Sequence, residues 1–192
     1  MEAFLTSTAL VALAEIGDKT QLLSFVLAAR LRKPWAIIAG IFVATLLNHG
    51  LAGTVGAWIA DFIPAGWLPW IVGLVFIAFG IWTLKPDTLD EDEAPSDMHP
   101  AGAFVTAAIA FFIAEMGDKT QLATVALAAR FDALAWVIIG TTLGMMIANV
   151  PAVLLGEGLA RRLPLEKIRW IAAGVFILTG IVTLFAARSL GG

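Results

Sequence analysis

Glu15, Asp18 and Lys19 stand together in the string Glu15-Ile16-Gly17-Asp18-Lys19-Thr20-Gln21-Leu22, and nearly the same string returns one hundred positions later as Glu115-Met116-Gly117-Asp118-Lys119-Thr120-Gln121-Leu122. Each string interrupts an apolar run, with Phe4 to Ala14 and Leu22 to Ala29 around the first and Ala101 to Ala114 and Leu122 to Ala129 around the second. A charged side chain at the centre of a membrane helix costs about 2.5 to 3.5 kcal/mol on insertion scales, so two acids and a lysine placed there twice need partners or a task. The residue types suit cation binding. Hard divalent ions such as Ca2+, Mg2+ and Mn2+ take carboxylate, carbonyl and water oxygens, whereas Zn2+ and copper favour His and Cys. The chain has two histidines and no cysteine.

Residues three apart share a helix face, so Glu15 with Asp18, and Glu115 with Asp118, are expected to project together and four carboxylates to converge. Gly17 and Gly117 weaken their helices by ~1 kcal/mol relative to alanine, and local unwinding there would expose carbonyl oxygens. Thr20, Gln21, Thr120 and Gln121 offer neutral oxygens alongside. With all four acids ionised and Lys19 and Lys119 protonated, the cluster carries a net charge of -2. One divalent cation or two protons would neutralise it. Crowded carboxylates in a low-dielectric setting take up protons readily, so metal and protons compete and antiport follows from mutual exclusion.

A plainer reading makes Glu15–Lys19 and Glu115–Lys119 intrahelical salt bridges and nothing more. Each copy has one acid beyond what its lysine neutralises, and the duplication of that excess favours a site. The lysines are read equally as structural partners and as mobile counter-charges that tune affinity. Asn48 and His49 fall in the middle of a second apolar run and Asn149 in a fifth, with His49 and Asn149 paired by the offset of one hundred. Intramembrane asparagines more often join helices than bind ligands. Asn48 and Asn149 remain site candidates on even terms, and His49 ranks below them because no second histidine accompanies it.

These side chains need an apolar scaffold, and the composition supplies one. Of 192 residues 60% are hydrophobic and 14% charged, against about 25% charged in soluble domains, so the chain is an all-α integral membrane protein. Crossing a core of about 30 Å takes about 20 apolar residues. Six candidate spans emerge, at roughly 4–29, 35–60, 67–84, 102–129, 134–159 and 168–187. Pro34, Pro64, Pro69, Pro86, Pro100 and Pro164 fall at or near the breaks, where a missing amide donor costs least. Tryptophans such as Trp35, Trp58, Trp67 and Trp170 mark span ends. The first run lacks a basic lead and a small-residue cleavage site, so it reads as a retained span.

The offset of one hundred also aligns Arg30 with Arg130, Gly40 with Gly140, Gly56 with Gly156, Pro64 with Pro164 and Gly80 with Gly180. Residues 1–85 and 101–192 are therefore expected to be three-helix repeats joined by an acidic linker over 86–100. Three spans per repeat make the second half enter from the opposite side, so the repeats are inverted, with their equivalent segments meeting near the midplane. Arg30, Arg32, Lys33, Lys85, Arg161, Arg162, Lys167 and Arg169 lie in the connections after spans one, three and five, against Arg130 and Arg188 on the other side. The positive-inside rule then puts the linker in the cytoplasm and both termini outside. Six of the fifteen acids lie in the linker, and no basic patch for nucleic acid exists. Runs of small residues such as Gly40, Ala44, Gly73 and Gly80 suit close helix packing.

The two E-x-G-D-K-T strings in a chain of six short spans resemble the family of divalent cation/proton exchangers that includes bacterial manganese exporters and a Golgi manganese and calcium transporter. Both copies match the family pattern E-x-G-D-[KR]-[ST] at every specified position. The resemblance implies two inverted three-helix bundles, within the lysine-exporter superfamily, and transport of Mn2+ and often Ca2+ against protons. It places the metal ligands at Glu15, Asp18, Glu115 and Asp118, with Thr20, Gln21, Thr120 and Gln121 in support. The residues alone reach hard-cation transport, and only the resemblance selects manganese. Implied further are a bacterial inner-membrane location, no cofactor and no enzymatic activity, with metal, protons and the lipid bilayer as partners and a homo-oligomer left open. The rivals are export of a cationic amino acid and an intramembrane carboxylate enzyme, though no nucleophile and base pair is evident for the latter.

Overall fold

The computed structural model describes residues 1–86, 99, 101–156 and 164–190. Most of the acidic linker lies outside the described residues, as do Glu157, Arg161 and Arg162. All the described regular structure is helical: α1 (Glu2–Glu15), α2 (Lys19–Leu31), α3 (Pro34–Phe62), α4 (Leu68–Thr83), α5 (Ala103–Glu115), α6 (Lys119–Arg130), α7 (Leu134–Leu155) and α8 (Leu165–Leu190). Three of them, Pro34–Phe62, Leu134–Leu155 and Leu165–Ser189, are long and apolar enough to cross a membrane unaided, and Leu68–Thr83 and Ala103–Glu115 are shorter apolar helices.

The runs read as spans one and four, with unwinding expected at Gly17 and Gly117, are each two separate helices. The break falls on the motif. Ile16 and Met116 turn extended, with ψ of 113° and 115°, and Gly17 and Gly117 follow at φ of +87° and +76°, a region that costs a side-chain-bearing residue about 1 to 2 kcal/mol. Asp18 and Asp118 then start α2 and α6 as N-caps. An intrahelical Glu15–Lys19 or Glu115–Lys119 pair across one continuous turn is therefore not the arrangement: glutamate and lysine belong to different helices.

Close packing follows the glycines. A Cβ on Gly140 would stand 2.7 Å from the Phe4 carbonyl oxygen and one on Gly40 would stand 2.6 Å from that of Phe104, so α7 presses on α1 and α3 on α5. Likewise α4 crosses α8 where Gly73 and Gly180 face each other's carbonyls. The packing of α1 on α7 and α5 on α3 is matched by α2 on α7 and α6 on α3, while α4 leans on α6 and α8 on α1. Two apolar clusters form the interior. One joins Leu10, Val11, Phe76, Leu127, Met145 and Phe176, the other Leu23, Leu27, Ile37, Ile41 and Phe111. Outward stand Phe42, Leu47, Leu51, Leu74, Ile81, Ile147, Leu178 and Phe185, an apolar surface far larger than soluble proteins carry and suited to lipid.

Candidate functional site

The acids on either side of both motif breaks are buried, although Met116 and Gly117 at the second break are exposed. Glu15, Asp18, Glu115 and Asp118 are enclosed, with Thr20, Gln21, Asn48, His49, Lys119, Thr120 and Asn149 also buried. Ending α1 and α5 at the glutamates exposes helix C-terminal carbonyls at the same depth where α2 and α6 present their N-terminal amides. The chain at each break is held by its own glutamine. Gly17 donates its backbone N–H to Gln21 Oε1 at 2.9 Å, and Gly117 donates to Gln121 Oε1 at 2.8 Å. Asp18 and Asp118 donate their N–H groups to the Glu15 and Glu115 carbonyls at 3.0 and 3.1 Å.

The two glutamates are held differently. Glu15 Oε1 accepts from the Thr20 hydroxyl and from Asn149 Nδ2, the latter at 2.9 Å. Asn149 is itself fixed, its Oδ1 accepting from Ser24 Oγ at 2.7 Å. Glu115 Oε2 accepts from the Thr120 hydroxyl at 3.0 Å, and His49 Nε2 stands 4.0 Å from the same oxygen, beyond hydrogen-bond reach. Asn48 Nδ2 donates to the Phe112 carbonyl at 3.2 Å, tying α3 to α5. Across the halves Lys119 Nζ reaches Asp18 Oδ1 at 3.5 Å, with both side chains buried.

Several buried acceptors have no hydrogen-bond donor: Glu15 Oε2, Asp18 Oδ2, Glu115 Oε1 and Asn48 Oδ1. Buried polar atoms are normally satisfied, and these carboxylate oxygens, drawn from both motifs, are exceptions. Among the described residues no three His, Asp or Glu side chains surround one common ion position in this arrangement. A crevice of about 10 Å³ runs along Gly17, Asp18, Thr83, Lys85, Lys119 and Arg169, room for about one water.

Comparison with known proteins decides the family. The model of a divalent cation/proton antiporter family, GDT1, matches residues 3–91 and 103–190, essentially the whole chain in two stretches. The chain belongs to the GDT1 family. A Vibrio cholerae protein carrying the provisional description of manganese exporter is 52% identical over 96% of this chain and 92% of its own length. A GDT1-like protein of Arabidopsis thaliana is 28% identical, covering 96% of each chain, and one of Synechocystis is 29% identical over 95% of this chain and 97% of its own. No solved structure matches.

In this GDT1 chain the motif acids share the interior, and most of the neutral groups beside them are committed to other partners. The Gln21 and Gln121 oxygens face backbone amides, and Asn149 clasps Glu15. Ser24, which the sequence does not single out, lies one helical turn beyond Thr20, on the same face, where Thr124 occupies the matching place in the second copy.

Proposed function

We propose that this GDT1 antiporter exports Mn2+ from the bacterial cytoplasm, with Ca2+ as a second cargo, in exchange for protons. The observation that carries the reading is the set of buried carboxylate oxygens without donors on Glu15, Asp18 and Glu115, drawn from both motifs. Asp118 completes the set as the fourth acid. The name of the Vibrio cholerae relative supports manganese as cargo. In this mechanism the acids hold the metal with help from the helix C-terminal carbonyls of α1 and α5. Thr20, Thr120 and Asn149 orient the glutamates, Gln21 and Gln121 hold the breaks in shape, and Asn48 offers a further oxygen. Lys119 rests on Asp18 and, with Lys19, lowers the charge that cargo must neutralise. Protons arriving on the acids displace the metal, and metal arriving displaces protons. The protein performs no covalent chemistry and needs no cofactor.

The scaffold for this cycle is six spans in two inverted repeats, α1–α4 over residues 1–85 and α5–α8 over 101–192, with the linker over 86–100 in the cytoplasm and both termini outside. The paired packings, α1 on α7 with α5 on α3 and α2 on α7 with α6 on α3, support a pseudo-two-fold arrangement. The crevice at Asp18 and Lys119 is lined by Lys85 and Arg169, cations assigned to the cytoplasmic side by the positive-inside rule.

The test is purified protein in proteoliposomes with an internal pH dye, given Mn2+, Ca2+ or Mg2+ beside an Asp118→Asn protein. Metal-triggered proton movement that disappears in the variant is expected. Folded wild-type protein that moves no protons with any metal would end the exchange reading and leave cationic amino-acid export to be tried in the same vesicles.

A further inference from the structure

The two copies of the site differ where His49 stands opposite Asn149. Where the second half supplies Asn149 to Glu15, the first half supplies His49 to Glu115. The two contacts differ in kind. Asn149 is engaged through both ends of its amide, donating to Glu15 and accepting from Ser24. His49 is fully buried, and neither ring nitrogen has a hydrogen-bond partner.

A packing histidine inside a helical bundle places at least its N–H on a carbonyl or carboxylate, because an unmade hydrogen bond in the interior costs about 1 to 3 kcal/mol. His49 does not. Its neighbour Asn48 pins this turn of α3 to the Phe112 carbonyl of α5, three residues before Glu115, which aims the imidazole at that carboxylate. Nε2 stops 4.0 Å from Oε2. That gap is too long for a hydrogen bond but fits two ligands of one ion, since metal–oxygen bonds of about 2.0 to 2.6 Å place two ligands up to about 4 to 5 Å apart. Glu115 Oε1 beside it also lacks a donor.

We infer that His49 supplies a nitrogen ligand to the transported ion beside Glu115, and that this imidazole is what makes the site prefer Mn2+ over Ca2+ and Mg2+. The inference rests on the exchange reading above and deepens it. A site of carboxylates and carbonyls alone suits Mg2+, Ca2+ and Mn2+ alike, whereas a neutral nitrogen is tolerated better by a transition ion, even Mn2+ as the weakest binder of the first-row series, than by Ca2+ or Mg2+. Ca2+ and Mg2+ take oxygen. One neutral nitrogen among the carboxylates therefore sorts Mn2+ from the two hard ions without changing the charge balance of exchange.

The experiment has two readouts. Electron spin-echo modulation of Mn2+ bound to purified wild-type protein reports a directly bonded imidazole through its 14N coupling. The His49→Asn protein, which gives the first half the residue of the second, is expected to lose that coupling although His99 remains. In proteoliposomes its Mn2+ to Ca2+ ratio of metal-driven proton flux is expected to fall by at least the ~10-fold that loss of even an outer-shell metal partner brings. Bound Mn2+ without 14N coupling in the wild type, or a flux ratio unchanged by the substitution, overturns the inference while exchange itself stands. Should His49→Asn fail to fold, His49→Gln and the wild-type echo measurement decide the same point. Failure of every metal to drive protons in the wild type strikes the exchange reading instead, and the echo signal still tests His49.

Discussion

Asn149 shows how far a buried carboxylate depends on its neighbours. Its amide holds Glu15 at 2.9 Å and is held by Ser24 at 2.7 Å, so Asn149→Ala leaves one carboxylate with the Thr20 hydroxyl alone. The Mn2+ concentration for half-maximal flux should rise by about 10 to 100-fold, the usual effect of losing a partner that orients a ligand. An unchanged concentration would show that Glu15 needs no such support. Lys119 makes the second residue-scale case. It neutralises a buried acid from the other half, and removing one partner of a buried pair costs about 3 to 5 kcal/mol. Lys119→Ala should therefore lower the melting temperature in detergent markedly, and Asp18→Asn added to it should restore part of the loss. The acids and lysines were legible from sequence because charge inside an apolar run has few explanations. The direction of an amide was not, since Gln21 and Gln121 could have turned their oxygens to an ion as readily as to Gly17 and Gly117. The burial of His49 beside Glu115 depended on the rotation of α3, which residue spacing does not specify in a helix apolar on every side.

At the scale of elements, hydropathy reports that a segment lies in the membrane but not that it is interrupted. The runs through Glu15 and Glu115 read as single spans, and only the glycines hinted at the breaks that separate α1 from α2 and α5 from α6. Helix partners were equally hidden, because lipid and protein neighbours are both apolar and leave no stripe to follow. Glycine substitutions separate the two uses of that residue. Gly140→Val would force a Cβ toward the Phe4 carbonyl at 2.7 Å, and overpacking of this kind costs about 1 to 3 kcal/mol. At Gly174 nothing stands within 4 Å, so Gly174→Ala should gain up to ~1 kcal/mol of helix propensity. Thermal unfolding of the two variants in one detergent should move in opposite directions, and a shared direction would show that α7 does not seat on α1 as described.

For the whole molecule, the two halves pair α1 with α7 and α5 with α3, yet their motif loops are not equivalent in this state. Leu165 at the start of α8 stands 3.4 Å from where a Cβ on Gly17 would be, whereas no described residue comes within 4 Å at Gly117, and Met116 is 56% exposed. Such inequality between related halves is what alternating access requires, since one gate is covered when its counterpart is not. The proposed orientation rests on the cations that the sequence places in the connections after the expected spans one, three and five, so a C-terminal reporter active only in the cytoplasm should stay silent in cells. Activity there would invert the topology. The account as a whole rests on charge: four acids and two lysines leave a deficit that one divalent ion or two protons fill. The most direct test records Mn2+ and proton fluxes together in proteoliposomes while a potassium gradient and valinomycin set the membrane potential. The account predicts two protons per Mn2+ and a rate indifferent to the potential; Mn2+ movement without proton counterflow, or with a rate that follows the potential, would contradict it.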